Sequence, residues 1–305
     1  LLNTQAVKLL TDDKGAVIGA LARDPGGEVE VHAKATLVCA GSYSRNKEIM
    51  NKMQPIFYQN EGKEPVHIYA CATCTGDGIT MALNIGASMT DIDWVQAHPT
   101  VGLDSRILIS ETVRGVGAVM VNINGERFVN ELTTRDRASD AILHQPQKRA
   151  WLVFDSNLYK SAKMVQGYDH LGMLKKADTL AELAKICDMD AKTLEKTASD
   201  YNKFRKAGKD EAFGRPDMPL SIEKAPFYAV AVAPGIHHTM GGVAITPESE
   251  VLDIQSRPIP GLYAAGEVTG GVHGFNRLGG NAIADTVVFG RRSGEHAAAY
   301  ALSAK

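Results

Sequence analysis

Little in this sequence points to a nucleic-acid partner. Its 33 Lys and Arg stand against 35 Asp and Glu. No basic run disturbs that balance, which excludes a nucleic-acid surface built on clustered cations. No apolar stretch approaches the roughly 20 residues of a bilayer span. Cysteine is scarce, with Cys39, Cys71, Cys74 and Cys187 making four. Cys71 and Cys74 have redox or metal spacing, but no second pair completes a zinc site and no histidine follows to form a haem attachment motif. The four read as ordinary thiols, and no metal site is expected. Also missing are a Gly-x-Gly-x-x-Gly run after a first strand and an acidic residue closing a second strand, so a complete dinucleotide-binding fingerprint is absent. There is no internal repeat and no low-complexity segment.

What is present is ordinary for a soluble globular enzyme: 44% hydrophobic and 22% charged residues over a length of 305, enough for two lobes. Leu1-Leu2-Asn3-Thr4 has no initiator Met and no signal-peptide character, and reads as the interior of something longer. Residues 7–10 and 16–23 alternate around a turn at 12–15 as a hairpin does, and a third strand follows at 28–32. Residues 35–40 form a short apolar run suited to a buried parallel strand, ending at Gly41-Ser42 before a helix expected from Ser44. Thr75-Gly76-Asp77-Gly78 precedes a helical spacing through Ile79, Ala82 and Ile85, with a capping residue in front and Gly86 behind. A hairpin is expected over residues 117–129, a helix from Thr134 through Leu143, and helices over 178–187 and 190–206, the last behind an Asp cap and closed by Gly208. Residues 227–233 and 261–266 read as strands and 281–304 as a closing helix.

The densest chemistry lies near the end, in His237-His238-Thr239-Met240-Gly241-Gly242 and in the glycine-rich run from Gly266 to Asn281. Glycines beside a helix start let backbone N–H groups approach an anionic ligand, and the helix dipole favours negative charge there. Taken alone, such a loop is weak evidence, since most are turns. His98, held extended before Pro99, reads alone as a structural hydrogen-bonder or a ligand. Arg135 beside Asp136, and Glu111 three before Arg114, read alone as surface ion pairs.

The motifs CAGSYSRN at 39–46, TGDGITMA at 75–82, QAHPT at 96–100, SETVRG at 110–115, GERFVNELTTRDRAS at 125–139, HHTMGG at 237–242 and GEVTGGVHGFNRLGGNA at 266–282 carry a resemblance over nearly the whole chain. The sequence resembles the flavoproteins of the fumarate reductase and succinate dehydrogenase superfamily, and most of all the soluble flavocytochrome c fumarate reductases. The resemblance implies an α/β fold: a partial FAD-binding Rossmann-like domain, residues 1–93 and 231–305, interrupted by an α+β capping or substrate-lid domain at 94–230. The absent N-terminal FAD segment is expected upstream of residue 1.

It further implies FAD against Gly41, Ser42, Thr75, Gly76, Asp77, Gly78, His238, Gly266, Glu267, Gly279, Asn281, Ala282 and Ile283, with Ser42 where the family usually has glycine. A C4-dicarboxylate would be held at one end by Arg277 and His237 and at the other by His98 and Ser110, where the family usually has threonine. Arg135 would donate the proton, with Glu111 and Arg114 as its relay. Electrons would come from a haem or flavin carried elsewhere, and the setting would be periplasmic. Two alternatives stand beside fumarate reduction: a urocanate or other aryl-acrylate reductase, whose substrate has a single carboxylate, and a flavin-free fragment that binds a carboxylate or pairs with a separate FAD-domain chain.

Overall fold

The computed structural model describes residues 1–53, 67–68 and 70–303. They gather into two compact units, one of residues 1–53, 70–96 and 237–303, the other of 67–68 and 97–236.

In the first unit Gln5–Thr11, Val17–Asp24 and Gly27–His32 form an antiparallel meander. Its first turn is closed by Asp12, whose carboxylate accepts the N–H groups of Lys14 and Ala16 at 2.9 Å each, while Gly15 takes the left-handed backbone the turn requires, at φ 82°. The apolar run becomes the strand Thr36–Val38, parallel to Pro258–Ala264, which pairs antiparallel with Glu250–Leu252. Only glycine allows the helix Asp77–Leu83 its closeness to that sheet. A Cβ on Gly78 would stand 2.8 Å from Ala40 Cβ and Val38 Cγ1 and 3.2 Å from Val268 Cγ2.

Two helix starts differ from expectation. The first helix is Lys47–Met53 and does not begin at Ser44, because Ser44 bonds the Ser42 hydroxyl at 2.9 Å in a turn instead. The cap of Asp77–Leu83 is Gly76 in the left-handed region at φ 77°, while the Thr75 hydroxyl turns back to the Thr73 carbonyl at 3.3 Å. The unit closes with the helix Asn281–Ser303; Ala304, where the sequence reading ended it, lies outside the described residues.

The second unit is built on a sheet with the strand order Lys175–Ala177, Phe227–Thr239, Ala150–Asp155, Val119–Val121, to which His67–Ile68 and Val95–Gly102 add by pairing with Phe227–Thr239. Side chains alternate across it. Met120, Leu152, Phe154, Tyr228 and Val230 pack on one face with Ile109, Ile142 and Val165. Val119, Val121, Trp151, Val153 and Ala229 pack on the other with Leu183, Leu194 and Tyr201. A sheet covered on both faces needs apolar residues at consecutive positions, which is why 150–154 read Ala-Trp-Leu-Val-Phe.

The helices Leu180–Ile186 and Ala191–Ala207 cover the second face. A reciprocal capping box of Thr179 and Glu182 starts the one. Asp190 caps the other and Gly208 ends it at φ 70°. Two helices absent from the sequence reading are Ser156–Ser161 and Lys163–His170; the first is capped by Asp155, whose Oδ1 accepts the Asn157 and Leu158 N–H groups while Oδ2 accepts those of Glu223 and Lys224. The strand expected to end at residue 233 continues to Thr239. Of the hairpin expected over 117–129, the strand Val119–Val121 forms, with a turn after it in which Asn122 accepts the Asn124 and Glu126 N–H groups and a single bridge joins Val121 to Arg127.

Candidate functional site

In the second unit two helix starts bring the expected proton-relay residues together. Glu111 opens the helix Glu111–Val116, whose preceding Ser110 accepts the Thr112 N–H at 3.3 Å and donates its hydroxyl to Thr112 Oγ1 at 3.1 Å. Arg135 opens the helix Arg135–Leu143. Arg135 Nε meets Glu111 Oε1 at 2.7 Å and its Nη2 meets Oε2 at 3.1 Å, a planar two-bond fork. Arg114, one turn after Glu111, places Nη2 at 3.8 Å from Glu111 Oε1. Glu111 is therefore held down to about 2, first by the hydrogen bond from Arg135, with the charges of Arg135, His98 and Arg114 adding to it against partial burial. Arg114 is pulled below its ordinary value, chiefly by burial.

His98 is buried in the strand Val95–Gly102, its Nδ1 3.3 Å from the Thr100 N–H, and its charge bears on Glu111. Ser110 also has a structural duty, because its hydroxyl caps the helix that carries Glu111 and Arg114.

The first unit assembles a different set. Glu267 accepts the Thr239 N–H at 2.8 Å and lies 3.4 Å from His238 Nδ1. Burial dominates there and lifts Glu267 to about 6, against the opposing pull of Thr239, Arg277 and Ser42. His238 meets His273 edge to face at 5.2 Å, and His273 Nε2 lies 3.3 Å from Asp285 Oδ2. Arg277 is buried and fixed by a residue that sequence reasoning passed over. Gln96 accepts from Arg277 Nη2 at 3.0 Å and donates to the Arg277 carbonyl at 2.6 Å and to Asn276 Oδ1 at 2.7 Å. Its place in QAHPT, two residues before His98, was the only available signal.

FAD would need a backbone it can approach, a polar group for its hydroxyls and apolar surface for its rings, and the first unit offers each. Gly41 and Gly266 take positive φ of 76° and 77° at the two strand-end corners, conformations open to glycine at little cost. Glu267, next after Gly266, presents a carboxylate. Gly274 and Gly280 face open space, and Gly279, Asn281 and Ile283 are exposed at the start of the closing helix. Leu278 and Ile283 leave 73% and 71% of their surface uncovered there. Thr75 and Asp77 line an open groove of about 980 Å³ shared with Gln5, Cys39, Ala40 and Met81. These residues fit the cofactor.

Comparison with known proteins agrees with that chemistry. A family model described as the FAD binding domain matches residues 1–283. The chain is 60% identical over 302 residues to a probable fumarate reductase of Shewanella frigidimarina (strain NCIMB 400), covering 99% of this chain and 50% of that protein. It is 35% identical to a urocanate reductase of Eggerthella lenta, covering 98% of this chain and 50% of the relative. Among solved structures, the open conformation of a flavocytochrome c3 fumarate reductase superposes with a TM-score of 0.84 at 59% identity, over 98% of this chain and 52% of that one. The chain spans about half the length of the curated relatives it matches. With the model matched over far more than half of the sequence, the chain belongs to the FAD binding domain family.

Proposed function

We propose that this chain serves the FAD-dependent reduction of fumarate to succinate. The observation that carries the reading is the fork of Arg135 on Glu111 with Arg114 beside it: a guanidinium backed by a carboxylate, itself next to a second guanidinium. FAD, when bound, supplies the hydride. It would be held by Gly41, Ser42, Gly266, Glu267 and the helix start at Gly279, Asn281, Ala282 and Ile283, with Thr75, Gly76, Asp77, Gly78 and His238 behind them.

By the resemblance, Arg277 and His237 take one carboxylate of fumarate and His98 and Ser110 the other. Fixed cations at a carboxylate stabilise the charge that develops on it as the neighbouring carbon accepts hydride. Arg135 then gives a proton to the adjacent carbon. Arginine is a weak acid, with a reference value above 12, so it serves only because the carbanion-like carbon is a stronger base and Glu111 can return the proton. The Arg135 hydrogen bond that holds Glu111 down keeps it ionised at neutral pH; once Arg135 has given its proton away that hold is released, and Glu111, with Arg114 beside it in the relay, takes up a proton and returns it to Arg135. The resemblance supports a periplasmic setting and an electron donor, haem or flavin, carried outside this chain.

A second reading, reduction of urocanate or another aryl-acrylate, is favoured by the engagement of the Ser110 hydroxyl with Thr112, which leaves one fewer group for a second carboxylate. Competition between fumarate and urocanate separates the two, and fumarate is expected to be the faster substrate. A third, that the chain acts without flavin and pairs through exposed Leu278, Ile283 and Val287, is tested by the visible spectrum and intact mass of the purified protein. Flavin bands support the proposal, and a colourless protein at the mass of this chain alone supports the third reading.

A further inference from the structure

Behind Arg114 lies a buried ionic network with no place in the reaction just proposed. Glu131 is fully buried and its carboxylate is filled. Oε1 accepts from Arg127 Nε at 2.8 Å and the Met120 N–H at 3.1 Å, while Oε2 accepts from Arg127 Nη2 at 2.9 Å and Arg215 Nη1 at 3.1 Å. Four donors meet the four lone-pair positions of a carboxylate. Arg127 also reaches Asp210 Oδ2 at 2.8 Å. Arg215, whose side chain is wholly buried, donates in addition to the carbonyls of Arg114 at 2.6 Å, Ala118 at 2.9 Å and Asp217 at 2.7 Å.

Arg114 is held more loosely. Its Nη1 donates to the backbone carbonyl of Glu131 at 2.6 Å, its Nη2 is 3.8 Å from Glu111, and its Nε is buried with no hydrogen-bond partner among the described residues. A buried guanidinium with spare donors, already bonded to the backbone of Glu131, has a competing carboxylate next door. Charged hydrogen bonds are about twice as strong as neutral ones, so an open position on Glu131 would draw Arg114 away from Glu111. No position is open.

We infer that Arg215 is a positioning residue for the proton relay: with Arg127 it saturates Glu131 and clamps the Arg114 carbonyl, so that the Arg114 guanidinium stays turned to Glu111. The inference rests on the reading of Glu111 and Arg114 as the relay. It explains why a residue more than 80 positions from Glu131 in sequence reaches into the wall behind the relay and spends its donors on Arg114 and Glu131 together. A structural staple alone would serve with any pairing that satisfied the charges. The relay requires this one.

The test uses the FAD-loaded protein with Arg215→Met. Turnover of fumarate with a reduced dye is expected to fall about tenfold or more, a part of the roughly 100-fold or greater contribution of a positioned acid–base group, while fumarate affinity stays within about twofold. A crystal structure of the variant is expected to show the Arg114 guanidinium on the Glu131 carboxylate. Adding Glu131→Gln removes the competing charge and is expected to restore much of the lost turnover, whereas a purely structural role predicts a further loss. Arg215→Lys, able to refill one position on Glu131 but not to reach the Arg114 carbonyl as well, gives a smaller fall of the same kind and serves should Arg215→Met not fold. Arg114 still facing Glu111 in the variant, or no recovery in the double variant, overturns the inference. Arg114 displaced with turnover unchanged supports the placement and overturns instead the relay reading beneath it.

Discussion

Arg135 and Glu111, 24 residues apart in sequence, face each other through two hydrogen bonds of 2.7 and 3.1 Å, from Nε to Oε1 and from Nη2 to Oε2. Each stands at the first position of its own helix, that of Glu111 capped by the Ser110 hydroxyl. Their surroundings are unequal: the Arg135 side chain is 11% exposed and that of Glu111 45%. A guanidinium that faces inward is thus joined to a carboxylate in contact with solvent. The proton-donor role proposed for Arg135, which calls for recharging after each turnover, needs such a link.

The fork has a consequence at low pH. Glu111 is held down to about 2 in the folded chain, below the ordinary carboxylate value, so the unfolded chain takes up a proton that the folded chain refuses. The contribution of the pair to stability is present above about 4.5 and is lost as pH falls towards about 2. Glu111→Gln is expected to melt at a temperature less sensitive to pH across that window than the unaltered protein. Identical acid sensitivity of the two would show that the fork does not persist in solution.

Glu267 runs the other way. Burial lifts it to about 6 from an ordinary 4.5, so between these values the folded chain binds a proton that the unfolded chain releases. Stability attributable to Glu267 is greatest below about 4.5 and declines as pH rises through 6. The melting temperature of Glu267→Gln minus that of the unaltered protein should therefore increase from pH 4 to pH 7. A difference constant across this range contradicts the assignment.

Gly78→Ala tests the approach of the helix Asp77–Leu83 to the sheet. Its new methyl would stand 2.8 Å from both Ala40 Cβ and Val38 Cγ1, and overpacking of that kind costs about 1–3 kcal/mol. Chemical denaturation should show that loss, with part of it recovered by Val38→Ala in the same chain. Full stability of Gly78→Ala would place the helix farther out.

Ser110→Ala removes the side-chain cap from the helix that carries Glu111 and Arg114. The expected loss is about 1 kcal/mol of stability, accompanied by a lower turnover, because Glu111 and Arg114, the proposed relay, ride on that helix. Ser110→Thr keeps the hydroxyl and should keep both properties. If Ser110→Ala weakened fumarate binding without touching stability, the hydroxyl would serve the substrate and not the cap.

Elements defined by local chemistry could be read directly from the residues. Asp190 and Gly208 bracket a helix whose apolar positions repeat at its own period, and the turn around Gly15 states its own geometry. The meeting of Arg135 with Glu111 was legible as well, though only through the motifs SETVRG and TTRDRAS, since an Arg next to an Asp carries no instruction to meet a Glu 24 residues earlier. Other features depend on long-range partners. Gly76 takes the cap expected of Thr75, because only glycine fits the close approach to Tyr43 there, whose Cβ would lie 3.0 Å from a Gly76 Cβ. Gln96 holds Arg277 across 181 positions. Arg215 meets Glu131 across 84, and nothing around Arg215 in sequence distinguishes it from a solvated arginine. Polar groups buried by tertiary contact leave no periodicity behind them.

The central claim, that Arg135 delivers the proton in a fumarate reduction, is tested most directly by comparing the FAD-loaded protein with its Arg135→Ala variant, following succinate formation from fumarate with a reduced dye under anaerobic conditions. The account predicts succinate from the unaltered protein and at least about 100-fold less from the variant, in line with the loss of a general acid, with fumarate affinity changed by no more than about twofold. Equal turnover by the two, or no succinate from either, would contradict it.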